Sequence, residues 1–154
     1  MQLERARILA LSLLEKHELY DWTFRFDRAK VRFGCCRYAQ KIISLSKILT
    51  ELNEEDRVRD TILHEIAHAI VGKKHNHDAV WKAKAKEIGA RPVRCYSHKE
   101  VVMPQRKYTA ICSHCQESFQ MQRKRNIACG PCCKKFNRGK YTNRFRIRFV
   151  ENRL

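Results

Sequence analysis

The sequence predicts an α+β protein in two parts: helices with a short sheet over residues 1–104, then a small β module over residues 105–154. Three observations predict this. Apolar residues recur at helical spacing in the first 90 positions, with short alternating or apolar stretches between the helical ones. Two C-x-x-C pairs, 112–115 and 129–132, sit among short strand and turn signals near the end. The charge also changes along the chain. Residues 1–90 carry 17 Lys/Arg against 13 Asp/Glu and residues 91–154 carry 16 against 3, so +13 of the net +17 lies in the last 64 positions.

The elements follow in order. Residues 2–19 read as a helix, with Leu3, Ala6, Ala10, Leu13 and Leu14 on one face. "DWTFRFD" alternates, Trp22, Phe24 and Phe26 against Thr23 and Arg25, and so predicts a strand. "KVRFG" leads toward a second strand, and "KIISLS" (41–46) is a third. Ser46 can cap a short helix through Leu52. Asn53 with the acidic turn Glu54, Glu55 and Asp56 then opens a long helix, whose dipole those carboxylates complement. Gly72 should end it, and Asp78 should cap another helix running to about Ile88, closed by Gly89 and Pro92. A basic connector (91–107) holds the boundary. Beyond it, "SFQMQ" predicts a strand and "RKRN" a hairpin turn.

Four of the seven histidines lie between residues 64 and 77. His64 and His68, four apart on a helix, project from the same face one turn apart. Glu65 lies about 100° round, beside a metal held by the two rings. This H-E-x-x-H pattern suits two imidazoles on zinc and a glutamate as general base toward water. A third protein ligand is needed. On a continued helix His75 would lie about 10 Å past His68, so the chain must fold back. His77, five residues after Gly72, has about 16 Å of chain to return with and sits directly before the cap at Asp78. The spacing therefore favours His77 over His75, which becomes a solvated loop residue. Glu87 on the next helix stays open as an alternative. The pattern H-E-x-x-H-x-x-G-x-x-H does not fit, because Val71 and Lys74 occupy its Gly and His positions.

Cys112, Cys115, Cys129 and Cys132 have the spacing of two knuckles on one tetrahedral zinc. Cys133 offers a competing thiolate, but the two-residue gap favours Cys132. Cys35, Cys36 and Cys95 read as small core residues. In the tail, "YTNRFRIRFV" alternates: Phe145, Ile147 and Phe149 can close a core while Arg144, Arg146 and Arg148 line the other face. With Arg123, Lys124, Arg125, Lys134 and Lys135 they form a basic surface suited to a phosphate backbone. Nothing in it reads bases.

"GCCRYAQKIISLS", "TILHEIAHAI", "HDAVW", "IGA" and the paired C-x-x-C together resemble the SprT-like family, which includes the Spartan-type proteases that act on proteins attached to DNA. The resemblance runs from about Leu3 to the C-terminus. It implies a minimal zincin-type metalloprotease domain, a helix pair on a short sheet, followed by a zinc ribbon. It also implies His64, His68 and His77 as zinc ligands and Glu65 as catalytic base.

The sequence thus predicts a metallopeptidase with two zinc ions, one catalytic and one structural, with DNA and DNA-bound proteins as partners. Two rivals are a non-catalytic nucleic-acid-binding zinc protein and a peptidase indifferent to DNA. No apolar run approaches the ~20 residues of a membrane span; "ILALSLL" reads as the stripe of an amphipathic helix. A monomer in the cytoplasm, associated with DNA, is expected.

Overall fold

The computed structural model describes residues 1–94 and 100–152; Cys95 falls outside them. It divides into two units, Met1–Pro104 and Gln105–Leu154. The first runs α1 (Leu3–Lys16), β1 (Thr23–Asp27), β2 (Gly34–Arg37), β3 (Ile42–Ser46), α2 (Lys47–Leu52), α3 (Glu55–Val71) and α4 (Ala79–Glu87). The architecture is α+β.

In the first unit β3 is the central strand, parallel to β1 and antiparallel to β2. All five of its residues are buried, so its two serines need internal partners. Ser44 donates to the Asp27 carboxylate at 2.9 Å, and Ser46 donates to the Ala29 carbonyl while accepting from the Leu49 amide at 3.2 Å. Asp27 also accepts from the Ala29 amide at 2.9 Å and from Arg32 at 2.7 Å. Burial pushes its carboxyl up, but these donors outweigh that and hold it below the usual carboxylate range. The knot fixes the loop between β1 and β2.

α1 turns Ala6, Ala10, Leu13 and Leu14 inward and packs on α3. The two alanines allow close approach of the helices. α3 buries Val58, Ile62, Leu63, Ile66 and Ala67 and lies against β2, β3 and α4. Each large side chain so buried contributes roughly 1.5–3 kcal/mol of transfer free energy. This packing fixes the rotation of α3 and so which side chains it turns toward β2.

The second unit has β4 (Tyr108–Cys112), β5 (Ser118–Met121), α5 (Gly130–Phe136) and β6 (Ile147–Glu151). Its antiparallel sheet has the order β5-β4-β6. The structure corrects two expectations here. The tight hairpin is the first cysteine knuckle, closed by Cys112 N–H to Glu117 O at 2.9 Å, and "RKRN" is a bend leading to the Ala128–Arg146 bridge. The tail is not one strand: Asn143–Phe145 forms a 3-10 turn, with the Thr142 hydroxyl accepting from the Arg144 amide, and β6 begins at Ile147. The in–out alternation of the tail survives this break, with Phe145 and Ile147 buried and Arg144, Arg146 and Arg148 exposed. The sequence does not predict α5, because Gly130 and Pro131 read as a turn. A proline at the start of a helix costs no hydrogen bond there, and the motif is a helix N-terminus.

Asn53, expected to open α3, instead ends α2, and Glu54 precedes α3 without a side-chain cap. The Asn53 amide donates to Leu49 O at 2.8 Å and Val102 O at 3.0 Å, and its oxygen accepts from the Val102 amide at 2.8 Å. This buried clamp ties the chain after α4 back to α2. Asn53→Ala leaves those backbone groups unpaired and should cost about 1–3 kcal/mol. Urea unfolding followed by circular dichroism measures this; a midpoint equal to the parent's would show the clamp to be dispensable.

Candidate functional site

α3 presents His64 and His68 toward the turn that follows it. Gly72, with φ of 79°, ends the helix, and its amide still bonds to His68 O at 3.0 Å. The chain then reverses. His77 has a left-handed backbone, φ of 59°, immediately before Asp78, whose carboxylate caps α4 at the Trp81 amide (3.0 Å). Non-glycine residues rarely adopt this conformation; here it swings the imidazole back onto α3. His77 Nε2 lies 3.0 Å from His68 Nε2 and 3.1 Å from His64 Nε2. His75 stays outside, bonded to Asp78 at 2.9 Å. Glu87 is exposed and pairs with Lys84 at 2.7 Å.

Three ring nitrogens aimed at one point cannot all satisfy one another, since each N–H serves one lone pair. A cation takes all three lone pairs. Tetrahedral ligation at about 2.05 Å would separate the nitrogens by about 3.4 Å, close to the spacing found. Burial, helped by the neighbouring imidazoles, pushes His64 down to about 3 and His68 down to about 4. His77 is lowered by burial and then by Arg94. Neutral rings suit a metal. The indole of Trp81, fully buried, backs all three, with ring centroids 4.6 Å from His64, 5.1 Å from His68 and 4.6 Å from His77.

Glu65 is 7% exposed. Burial pushes its carboxyl up to about 8, against the opposing pull of Arg32 and the Cys36 amide. Gly34 makes room for it: a Cβ there would lie 2.5 Å from Glu65 Oε1 and 2.9 Å from Thr61 Cγ2. The first residue of β2 thus has to be glycine for α3 to sit this close. Glu65, the three histidines, Cys36 and Tyr38 face one cleft of about 530 Å³. Cys35 and Cys36 are therefore half-buried cleft residues and not core. Burial and Glu65 push the Cys36 thiol up to about 12, so it stays protonated.

In the second unit the sulfurs of Cys112, Cys115, Cys129 and Cys132 lie within 4.8 Å of one another. Cys112–Cys132 is 3.9 Å and Cys115–Cys129 is 3.7 Å, against an edge of about 3.8 Å for a tetrahedron with zinc–sulfur bonds of about 2.3 Å. These separations are far too long for disulfides. Cys133 is buried in the small core with Phe145 and Ile147, outside the four. The His114 amide reaches Cys112 Sγ at 3.4 Å, and its Nδ1 lies 3.6 Å from Cys132 Sγ. Arg123, Lys124, Arg125, Lys134, Lys135, Arg144, Arg146 and Arg148 are all exposed, and none joins an ion pair among the described residues. They do not form one row: Lys124 lies over the Tyr108 ring at 5.2 Å, Lys135 over Phe136 at 5.2 Å and Arg144 over Phe145 at 5.5 Å, and only Arg148 belongs to β6.

The profile of the SprT-like family matches residues 7–101, well over half of the chain and spanning α1 through the cleft. The chain belongs to the SprT-like family. Among solved structures it is similar to the metallopeptidase zymogen of Methanocaldococcus jannaschii jannalysin, at 17% identity and a TM-score of 0.48, over 62% of this chain and 85% of that one. No curated protein sequence matches it.

Within this SprT-like chain, residue spacing missed the cleft's walls. Gly34 stands in the sequence only at the end of "KVRFG" and the head of a family-like motif, with no sign of its place over Glu65, and Arg57, Asp60, Arg91 and Arg94 carry no site signal. The test of the ligand geometry is direct. His77→Ala should lose the metal bound by the first unit while His75→Ala keeps it, because His75 bonds to Asp78 and stands outside the cluster of the other rings. Elemental analysis of both variants after zinc loading decides it; equal loss in the two would contradict the geometry.

Proposed function

We propose that this chain is a zinc-dependent peptidase that cleaves proteins bound or crosslinked to DNA. One observation carries the reading: three imidazoles converge in an open cleft beside a buried glutamate. His64, His68 and His77 would hold the ion, which when bound supplies a Lewis acid for a peptide carbonyl and for water. Trp81 keeps the three rings in place. Glu65 is the general base: its carboxylate takes the proton of the attacking water and delivers it to the departing amine nitrogen. The Cys36 amide orients that carboxylate, and Gly34 leaves the space it needs.

A second zinc, closed by Cys112, Cys115, Cys129 and Cys132, would be structural. The second unit's core comprises few side chains, so a metal closing the four thiols would supply stability that its apolar burial does not. Its exposed cations would meet phosphates without reading bases, so DNA is bound independently of sequence. DNA-attached proteins are thereby brought to the peptidase unit. A non-catalytic reading leaves the buried Glu65 without a use, since a metal held only for structure needs no carboxylate beside it.

The experiment is cleavage of a DNA-binding protein with and without DNA, using the parent and Glu65→Gln. Cleavage should be stimulated by DNA, and Glu65→Gln should lower it by about 10²–10⁴-fold with zinc content unchanged. Parent-like cleavage by Glu65→Gln would remove the assigned base; activity indifferent to DNA would leave a general peptidase.

The exposed tail arginines give the second test. Replacing Arg144, Arg146 and Arg148 by Gln leaves Phe145, Ile147 and Phe149 in place, so the second unit should stay folded. Each guanidinium–phosphate pair removed should flatten the slope of log affinity against log salt by about 0.7–0.9. DNA-stimulated cleavage should fall while cleavage of a short peptide does not. Unchanged affinity and slope in a fluorescent-DNA salt titration would move the DNA-binding surface to Arg123–Arg125.

A further inference from the structure

Away from the imidazoles and Glu65, the cleft wall is cationic. Arg32, Arg57, Arg91 and Arg94 line it, against Asp60 and Glu65. Three of the four are engaged by carboxylates. Arg32 donates to Asp27 at 2.7 Å, Arg57 pairs with Asp60, and Arg91 joins Asp60 at 3.1 Å and Glu100 at 3.2 Å. Asp60 accepts the Arg91 amide as well, at 2.8 Å, so its charge is fully taken up within the wall. Arg94 is different. It is exposed to the cleft and joins no ion pair among the described residues. All 16 Asp and Glu of the chain lie among those residues, and no side-chain carboxylate of the chain pairs with it in this structure.

A guanidinium at the rim of a peptide-sized cleft, outside every ion pair among the described residues, is complementary to a carboxylate. The walls behind it, already neutralised in pairs, offer a substrate carboxylate no competing anion except Glu65. We propose that Arg94 makes the cleft select peptide segments carrying Asp or Glu, by pairing with an acidic side chain of the bound segment. This rests on reading the cleft as a peptidase site. It adds a direction to that reading. Proteins held on DNA turn their basic surface to the phosphates, so an acid-selective cleft is directed to the surface left outside.

The test uses the full chain supplied with zinc and two fluorescent ten-residue peptides, identical except for three Glu in one and three Lys in the other. Binding is measured with Glu65→Gln, so that neither peptide is consumed and no activity is required. The Glu peptide should bind at least about fivefold more tightly. Adding Arg94→Glu should abolish or invert that preference, and adding the three tail Arg→Gln substitutions should leave it intact. Equal binding of the two peptides overturns the inference. So does a preference that survives Arg94→Glu, or one that vanishes with the tail substitutions, since the basic second unit would then be its source. Competition with a short oligonucleotide adds one more arm: displacement that depends on Arg94 would make the cleft rim a phosphate site and would overturn the peptide assignment. Cleavage by the unmodified active site separates the two readings. If neither peptide is cut while the preference in binding holds, the peptidase reading fails and the acid selectivity of the cleft stands.

Discussion

The reversal of the chain after α3 is the constraint on which the first unit's chemistry depends. A helix can place His64 and His68 one turn apart on a single face, but it cannot supply a third nitrogen at the same point. Gly72 stops the helix, the chain turns, and Asp78 anchors the next helix, leaving His77 between two fixed ends. Its left-handed backbone is the local strain of that closure. What stabilises it is the packing of Trp81, the third residue of α4, against all three rings. The indole is fully buried, so seating α4 on α3 and aiming His77 are one event.

A second close approach sets the character of Glu65. Its carboxylate is buried because β2 crosses directly over it, and β2 can do so because its first residue has no side chain. Burial makes the charged form costly. The Cys36 amide and Arg32 moderate that cost without abolishing it. Arg32 is in turn held by Asp27, the same carboxylate that satisfies the buried Ser44 of the central strand. The sheet's internal hydrogen bonds therefore reach the cleft through one loop, and the architecture and the site share residues.

The second unit is organised around its four thiols. Its apolar core consists mainly of Phe145, Ile147 and Ala110 around the cysteines themselves, so the sulfur cluster occupies the place a larger hydrophobic centre would take. The break of the tail at Phe145 follows from this. The 3-10 turn lets Phe145 reach inward, where its ring meets His114 at 5.0 Å, and β6 can then pair along β4.

Much of this is legible in the residues. The helix of His64 and His68, its stop at Gly72 and the cap at Asp78 are local signals, governed by helical period and by backbone conformation within a few positions. The short strand Ile42–Ser46 and the two cysteine pairs are local in the same sense. Asn53 misleads because its side chain bonds to Val102, 49 residues away, and no capping rule sees that partner. α5 is hidden because Gly130 and Pro131 serve a turn and a helix start equally well. The sequence by itself determined which side chains share a helix face and which cysteines stand in pairs, because those relations depend on spacing alone. Only the tertiary structure decided that Cys132 and not Cys133 joins the four sulfurs, that β2 lies over Glu65, and that four arginines wall the cleft, with Arg94 outside the ion pairs that hold the other three. Those relations join segments distant along the chain, and close packing of α3 against β2 and α4 is what brings them together.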